Sequence, residues 1–245
     1  NADGAWTTER VNGLEIGLRA KLRFDASCLP DNIFNSNGDG TYSFAAGVAP
    51  DGPGGAADCA SPETPVWAFE WSVNTDYDDS TGLKVGAYTY ELGMDFNASQ
   101  GTSFCTFDNI TPAPPTVPFF DHAMGDNTTP NGGGSVAGDA ATYTTYLSTL
   151  NVAQNSWRYD FFDAAGGGPC PAFDPNVDAT YDIYLRVLDG GGAEVARSTI
   201  QLDIGAGGPP QLPASSSTGL IVLFVSLFAM LAIVMTLRAR RSQTA

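Results

Sequence analysis

Residues 13–24 read Gly-Leu-Glu-Ile-Gly-Leu-Arg-Ala-Lys-Leu-Arg-Phe, and their period decides the fold. Leu14, Ile16, Leu18, Ala20, Leu22 and Phe24 alternate with Glu15, Gly17, Arg19, Lys21 and Arg23. Side chains of a strand point to opposite faces in turn, so the segment is a strand with one face in a core and one in water. Its wet face concentrates Arg19, Lys21 and Arg23. Such a stripe is either an edge guarded by charge or a docking surface, and the guarded edge is the commoner case.

The same period recurs along the chain. It appears in Trp67, Phe69, Trp71 and Val73, in Tyr88 to Phe96, in Trp157, Tyr159 and Phe161, in Tyr181 to Val187, and in Ala196 to Ile204. Turn chemistry separates these runs: Asn37-Gly38-Asp39-Gly40 before Thr41–Phe44, residues 78–82, and Asp189-Gly190-Gly191-Gly192, which reads as the hairpin joining the last two strands. Only residues 137–150 hint at a helix, against the preferences of their threonines and tyrosines. Many short strands without a strand-helix-strand rhythm predict an all-β fold, an antiparallel β-sandwich of immunoglobulin or jelly-roll kind, over residues 1–204. Two long Gly- and Pro-rich loops, 45–65 and 108–134, are where a binding role is expected.

Residues 205–218 form a Gly/Pro/Ser linker. Gly219 to Leu237 is a run of 19 residues without a charge, about 28 Å of helix, enough to span a bilayer core. Arg238, Arg240 and Arg241 follow in the 238–245 tail and predict a cytoplasmic C-terminus by the positive-inside rule. The span holds no ionisable residue, so its expected work is anchoring, not transport. The chain starts at Asn1, from which a removed signal peptide is expected. The net charge is −16, and three of the eleven bases sit in the tail while none of the 27 acids do. An ectodomain this acidic repels nucleic acid, which excludes it as a partner.

Cys28, Cys59, Cys105 and Cys170 lie far apart, with no Cys-x-x-Cys pair. Two structural disulfides are expected, and sequence order favours Cys28–Cys59 with Cys105–Cys170 among the three pairings. Disulfides place the domain outside the cytoplasm.

Chemistry-bearing constellations are sparse. His122 is the single histidine; pairing it with Asp121 and Ser135 would make a triad, but Gly133-Gly134-Ser135-Val136-Ala137 lacks the second glycine of a nucleophile elbow. No enzyme is expected. Asp174, Asn176 and Asp178 set hard oxygen ligands at alternate positions, as calcium loops do, although Ala179 and Leu185 replace the glycine and glutamate of an EF-hand loop. A turn leading into a strand at Thr180-Tyr181 is the simpler account, and residues 74–78 are a second calcium candidate. No other cofactor is expected. Trp67, Trp71, Tyr88 and Tyr90 could stack on sugars, but their strict alternation assigns them to the core first. Asn97, Asn109 and Asn127 open glycosylation sequons.

Trp67–Thr75, Tyr90–Phe96, Val152–Trp157 and Phe173–Asn176 leading into Tyr181-Asp182-Ile183 resemble bacterial exosortase-sorted (PEP-CTERM-like) extracytoplasmic proteins, which end in a short motif, one helix and a basic tail. The tail here matches in architecture, with Gly208-Pro209-Pro210-Gln211-Leu212-Pro213 where that family has Pro-Glu-Pro. Tyr181–Val187 and the hairpin after it resemble immunoglobulin-like domains. The resemblance implies a bacterial inner-membrane protein with a periplasmic ectodomain and no enzymatic activity. The leading expectation is an accessory subunit whose sandwich and helix dock on a larger membrane protein complex, respiratory or photosynthetic for example. The alternative is a sorted surface or matrix protein that binds glycans.

Overall fold

The structure, a computed structural model, describes residues 5–25, 27–29, 32–50, 59, 64–111, 121–130, 132–165 and 167–209. The chain divides into two units, Asn1–Pro209 and Pro210–Ala245. The predicted anchor at 219–237 and the basic tail lie in the second unit, outside the described residues. Among the described residues no helix is long and apolar enough to cross a membrane.

The first unit contains β1 (Thr7–Val11), β2 (Leu14–Leu22), β3 (Thr41–Phe44), β4 (Trp67–Asn74), β5 (Thr89–Asp95), β6 (Phe104–Phe107), β7 (Ala123–Gly125), α1 (Ala140–Thr149), β8 (Val152–Trp157), β9 (Ala179–Leu188) and β10 (Glu194–Ile204). They form two five-stranded sheets, β1-β2-β4-β8-β7 and β3-β10-β9-β5-β6. The first is antiparallel throughout, whereas β3 runs parallel to β10, so the second sheet is mixed.

Strand alternation sets the core. Leu14, Ile16, Leu18 and Ala20 of β2 and Trp67, Phe69, Trp71 and Val73 of β4 are fully buried, as are Ile183, Leu185 and Val187 of β9 and Leu92 and Met94 of β5. These residues belong to one continuous apolar cluster shared by the two sheets. Burying a side chain of this size contributes roughly 1.5–3 kcal/mol, which explains why the register is unambiguous: a one-residue slip would turn the whole set outward.

Three expectations are corrected. β2 is not an edge strand; it lies between β1 and β4. Its neighbour β1 is too polar to announce itself by period, and Asn12-Gly13 recruits it through a tight turn with φ of 49° and 79°, the left-handed pair that hairpins require. The alternation at Trp157, Tyr159 and Phe161 is not one strand, because β8 ends at Trp157 and residues 159–161 form a 3-10 turn that drives Tyr159 into the core. The helix starts at Ala140, where the Asp139 carboxylate accepts from the Thr142 N–H at 2.8 Å, a cap that offsets its weak composition.

The 189–192 turn joins β9 to β10 as a hairpin. Cys28 bonds to Cys59, and Cys105 on β6 bonds to Cys170.

Candidate functional site: a groove on the outer face of the first sheet

On the solvent side of the first sheet, register brings Glu15 opposite Asn74, Gly17 opposite Ser72, and Arg19 opposite Glu70. Ser72 in turn faces Gln154, and Gln154 faces Ala123. Small residues at the centre leave a trough. It encloses a cavity of about 340 Å³ lined by Trp6, Glu15, Arg19, Ser72, Asn74 and Tyr77 on one side, and by Gln154, Gly125, Asp126, Asn127, Thr129 and Pro130 on the other. A volume near 300 Å³ is the lower end for small-molecule sites.

The far wall is a short turn after β7. Asp126 accepts from the Thr128 N–H and hydroxyl at 2.9 and 2.7 Å; the Thr128 hydroxyl, followed by its backbone N–H, holds the carboxyl below the usual range, so it stays ionised. Gly125 is required here, because a Cβ would meet the Thr129 hydroxyl at 2.8 Å. Asn127 locks the turn to the sheet. Its Nδ2 donates to the Asp76 carbonyl at 2.6 Å and to Asp79 at 2.7 Å, while its Oδ1 accepts from Asn74 at 2.8 Å and Asn151 at 3.0 Å. All four hydrogen-bonding positions of that amide are in use. Asn127 therefore frames the groove, and its glycosylation would dismantle this lattice.

The near wall is aromatic and charge-paired. Arg10 Nε donates to Glu15 at 2.6 Å, which raises the guanidinium pKa further, and Arg10 also lies over the Tyr77 ring at 5.1 Å. Arg19 is sandwiched between Trp6 and Phe34, 4.2 and 4.3 Å from their ring centres. Glu70 takes Arg19 Nε on one oxygen and Lys21 Nζ on the other, each at 2.5 Å. The basic stripe on β2 is thus neither a guarded edge nor an open docking surface. Arg19 and Lys21 are each only 7% exposed and share the Glu70 carboxylate of β4, and Arg19 is covered by the Trp6 and Phe34 rings.

What remains open to a ligand is polar, with Asp126 as its carboxylate that no cation pairs among the described residues. The side chains of Gln154 and Ser72 hydrogen-bond to no described residue, and the Trp6 and Tyr77 rings are half-buried. An aromatic wall over amide and hydroxyl groups suits a polyhydroxylated molecule, whose C–H faces stack while its O–H groups bond.

Neither models of known protein families nor curated proteins match this chain.

Of the residues singled out from the sequence, Arg19, Asn74, Tyr77 and Asn127 line the groove, and the first calcium candidate lies elsewhere. Asp174 accepts from Asn176 at its backbone N–H (2.9 Å) and its amide (3.2 Å), closing a turn on itself. Asp178 instead points at Gly205, where a Cβ would stand 1.8 Å from its Oδ1. In the second calcium candidate, Asp76 is spent on Thr81 and Asp78 on Ser80. Among the described residues no three of His, Cys, Asp and Glu gather as metal ligands.

His122 is fully buried, 4.8 Å from the Trp71 ring centre and 5.7 Å from that of Tyr143. Asn155 can only donate to its Nδ1 (3.0 Å), so Nε2 carries the proton given to the Asn109 carbonyl at 2.8 Å. It is a core histidine, with the Asp121 carboxylate 3.4 Å from Nδ1. Asn109 is fully buried as well, which bars glycosylation there. Trp67, Trp71 and Tyr90 belong to the core, as their alternation predicts. Trp6 and Tyr77, the aromatic residues of the groove, belong to no periodic run; Tyr77 entered the sequence reading only within the 74–78 calcium candidate, and the Asn12-Gly13 turn was the signal that could have placed Trp6 beside the sheet.

Proposed function

We propose that residues 5–209 form a non-catalytic glycan-binding domain, carried outside the cytoplasm of a bacterium by the apolar segment at 219–237. The observation that carries this reading is the groove: Trp6 and Tyr77 on one wall, Gln154 and Ser72 with unused hydrogen-bonding capacity on the floor, and a rigid turn opposite. Its Glu15 and Arg19, each already paired, and its ionised Asp126 favour a neutral saccharide over a uronate or a phosphosugar. The finer membership of the sandwich, immunoglobulin-like or jelly-roll, belongs to the same proposal. The groove supports the sorted surface or matrix protein over the accessory subunit of a membrane complex, because nothing in such docking calls for an aromatic trough with free amides.

Isothermal titration of the full chain, in detergent, against a panel of neutral oligosaccharides tests the proposal. Binding in the micromolar to millimolar range, abolished by Tyr77→Ala together with Gln154→Ala, with the sugars recovered unchanged, is the expected result. No binding to any neutral or charged glycan would overturn it.

A further inference from the structure

Beside the groove, and independent of what it binds, a lysine, an asparagine and a glutamate converge. Lys21 and Glu70 are 7% and 9% exposed, and Lys21 Nζ stands 2.5 Å from Glu70 Oε1 and 3.4 Å from the Asn32 amide oxygen. The segment that brings Asn32 is tied to β2 just after it, at Ile33 and Phe34. The Leu22 N–H donates to the Ile33 carbonyl at 2.9 Å, and Phe34 covers Arg19 at 4.3 Å. Further back, the same stretch is held by the Cys28–Cys59 disulfide. An amine and a carboxyl group buried together, with a carboxamide at the edge of their site, are the components of an amide exchange.

The geometry points to an intramolecular isopeptide bond between Lys21 and Asn32, formed by the protein itself with Glu70 as the proton carrier. Glu70 Oε1 takes a proton from the Lys21 ammonium, with which it is in contact. The freed Nζ attacks Asn32 Cγ, forming the new C–N bond, while Asn32 Oδ1 takes the developing negative charge. Glu70 returns its proton to Asn32 Nδ2, the Cγ–Nδ2 bond breaks as the carbonyl re-forms, and ammonia leaves with the remaining proton as ammonium. No oxidant or second reagent is consumed. Arg19 holds Glu70 Oε2 at 2.5 Å and so keeps Oε1 turned to Lys21, which makes it a positioning residue. Asn32 is exposed, so the departing ammonia has a direct exit to solvent. The product is a covalent strap that fixes Asn32–Phe34 to β2 and holds the wall of Arg19, Phe34 and Trp6 in place.

Intact-mass measurement of the full-length chain, reduced and alkylated, reads the outcome directly. The expected result is a mass lower than that of the sequence by one ammonia, with peptide mapping that finds tryptic Ala20–Arg23 joined through Lys21 to the peptide beginning at Phe24. Lys21→Arg and Asn32→Ala each restore the full mass. Glu70→Gln restores it in protein whose circular dichroism is that of a folded sandwich. An uncorrected mass equal to the sequence overturns the inference. So does a loss of ammonia that persists in Lys21→Arg, because that traces to succinimide at an Asn-Gly pair such as Asn12-Gly13 or Asn37-Gly38.

Discussion

Trp6→Ala and Phe34→Ala remove the two faces of the same sandwich, and comparing them separates binding from stability. Their rings lie 4.2 and 4.3 Å from the Arg19 guanidinium, which is 7% exposed. A cation held over a ring away from water contributes about 1–2 kcal/mol. Either truncation should therefore cost about that much stability. For a unit the size of Asn1–Pro209 this lowers the melting temperature by about 2–8 °C. Binding should respond differently. Trp6 lines the groove and Phe34 does not. Truncating an aromatic anchor at the centre of a site costs about 1–3 kcal/mol, a loss of roughly 5- to 150-fold in affinity for the best saccharide. Differential scanning fluorimetry gives the first quantity and isothermal titration the second. Equal weakening by Phe34→Ala would refute the assignment of Trp6 to the ligand, and so would unchanged affinity in Trp6→Ala.

Two further outcomes follow from the second sheet and from the buried tyrosines. The Tyr184 ring lies flat over Gly93, 2.1 Å from where a Cβ would stand, pinned by Phe104, by Arg197 at 4.3 Å and by donating its hydroxyl to Glu91 at 2.5 Å. Gly93→Ala should cost about 1–3 kcal/mol as overpacking, and a denaturant midpoint equal to the wild type would show that the ring moves freely. Burial pushes the phenols of Tyr90, Tyr143 and Tyr159 upward and that of Tyr181 to about 12. A phenol whose folded pKa lies above its unfolded value near 10 contributes stability that is fully present below about pH 10 and is lost as pH rises toward the folded value. These tyrosines should ionise together with the loss of near-ultraviolet circular dichroism. Their gradual titration near pH 10 in a still-folded protein would contradict their burial.

The sandwich was legible wherever both of its causes wrote into the same residues. β2, β4, β5, β9 and β10 alternate because each has one face in the shared cluster, and their turns carry the glycines and asparagines that left-handed backbone demands. β1 and β7 were not legible because they contribute little to the core: Thr7, Glu9 and Val11 face inward only at a rim, and β7 is three residues long. The parallel pairing of β3 with β10 is non-local, and no feature of Thr41–Phe44 encodes a partner so distant in sequence. Tyr159 misled because a 3-10 turn can bury an aromatic residue as well as a strand can.

The groove failed to appear for a different reason, and that reason bears on what it binds. The sequence marks Arg19, Lys21 and Arg23 as a basic stripe, because a single strand reports only its own charges. The neutralising Glu70 sits on β4, 51 residues beyond Arg19, and only antiparallel register puts it between Arg19 and Lys21. Arg10 and Glu15 cancel across the β1–β2 hairpin in the same way. Once these pairs form, much of the charge that the sequence places on this face is compensated, and the groove's largest remaining resources are ring faces and amides. Steering by long-range charge is then weak, and a ligand must be held by stacking and by hydrogen bonds to Gln154 and Ser72. Such a site should show little dependence of affinity on ionic strength. A polyanion drawn to an open basic stripe would instead lose affinity steeply as salt rises, so a salt series on the tightest ligand distinguishes the face seen in the fold from the stripe seen in the sequence.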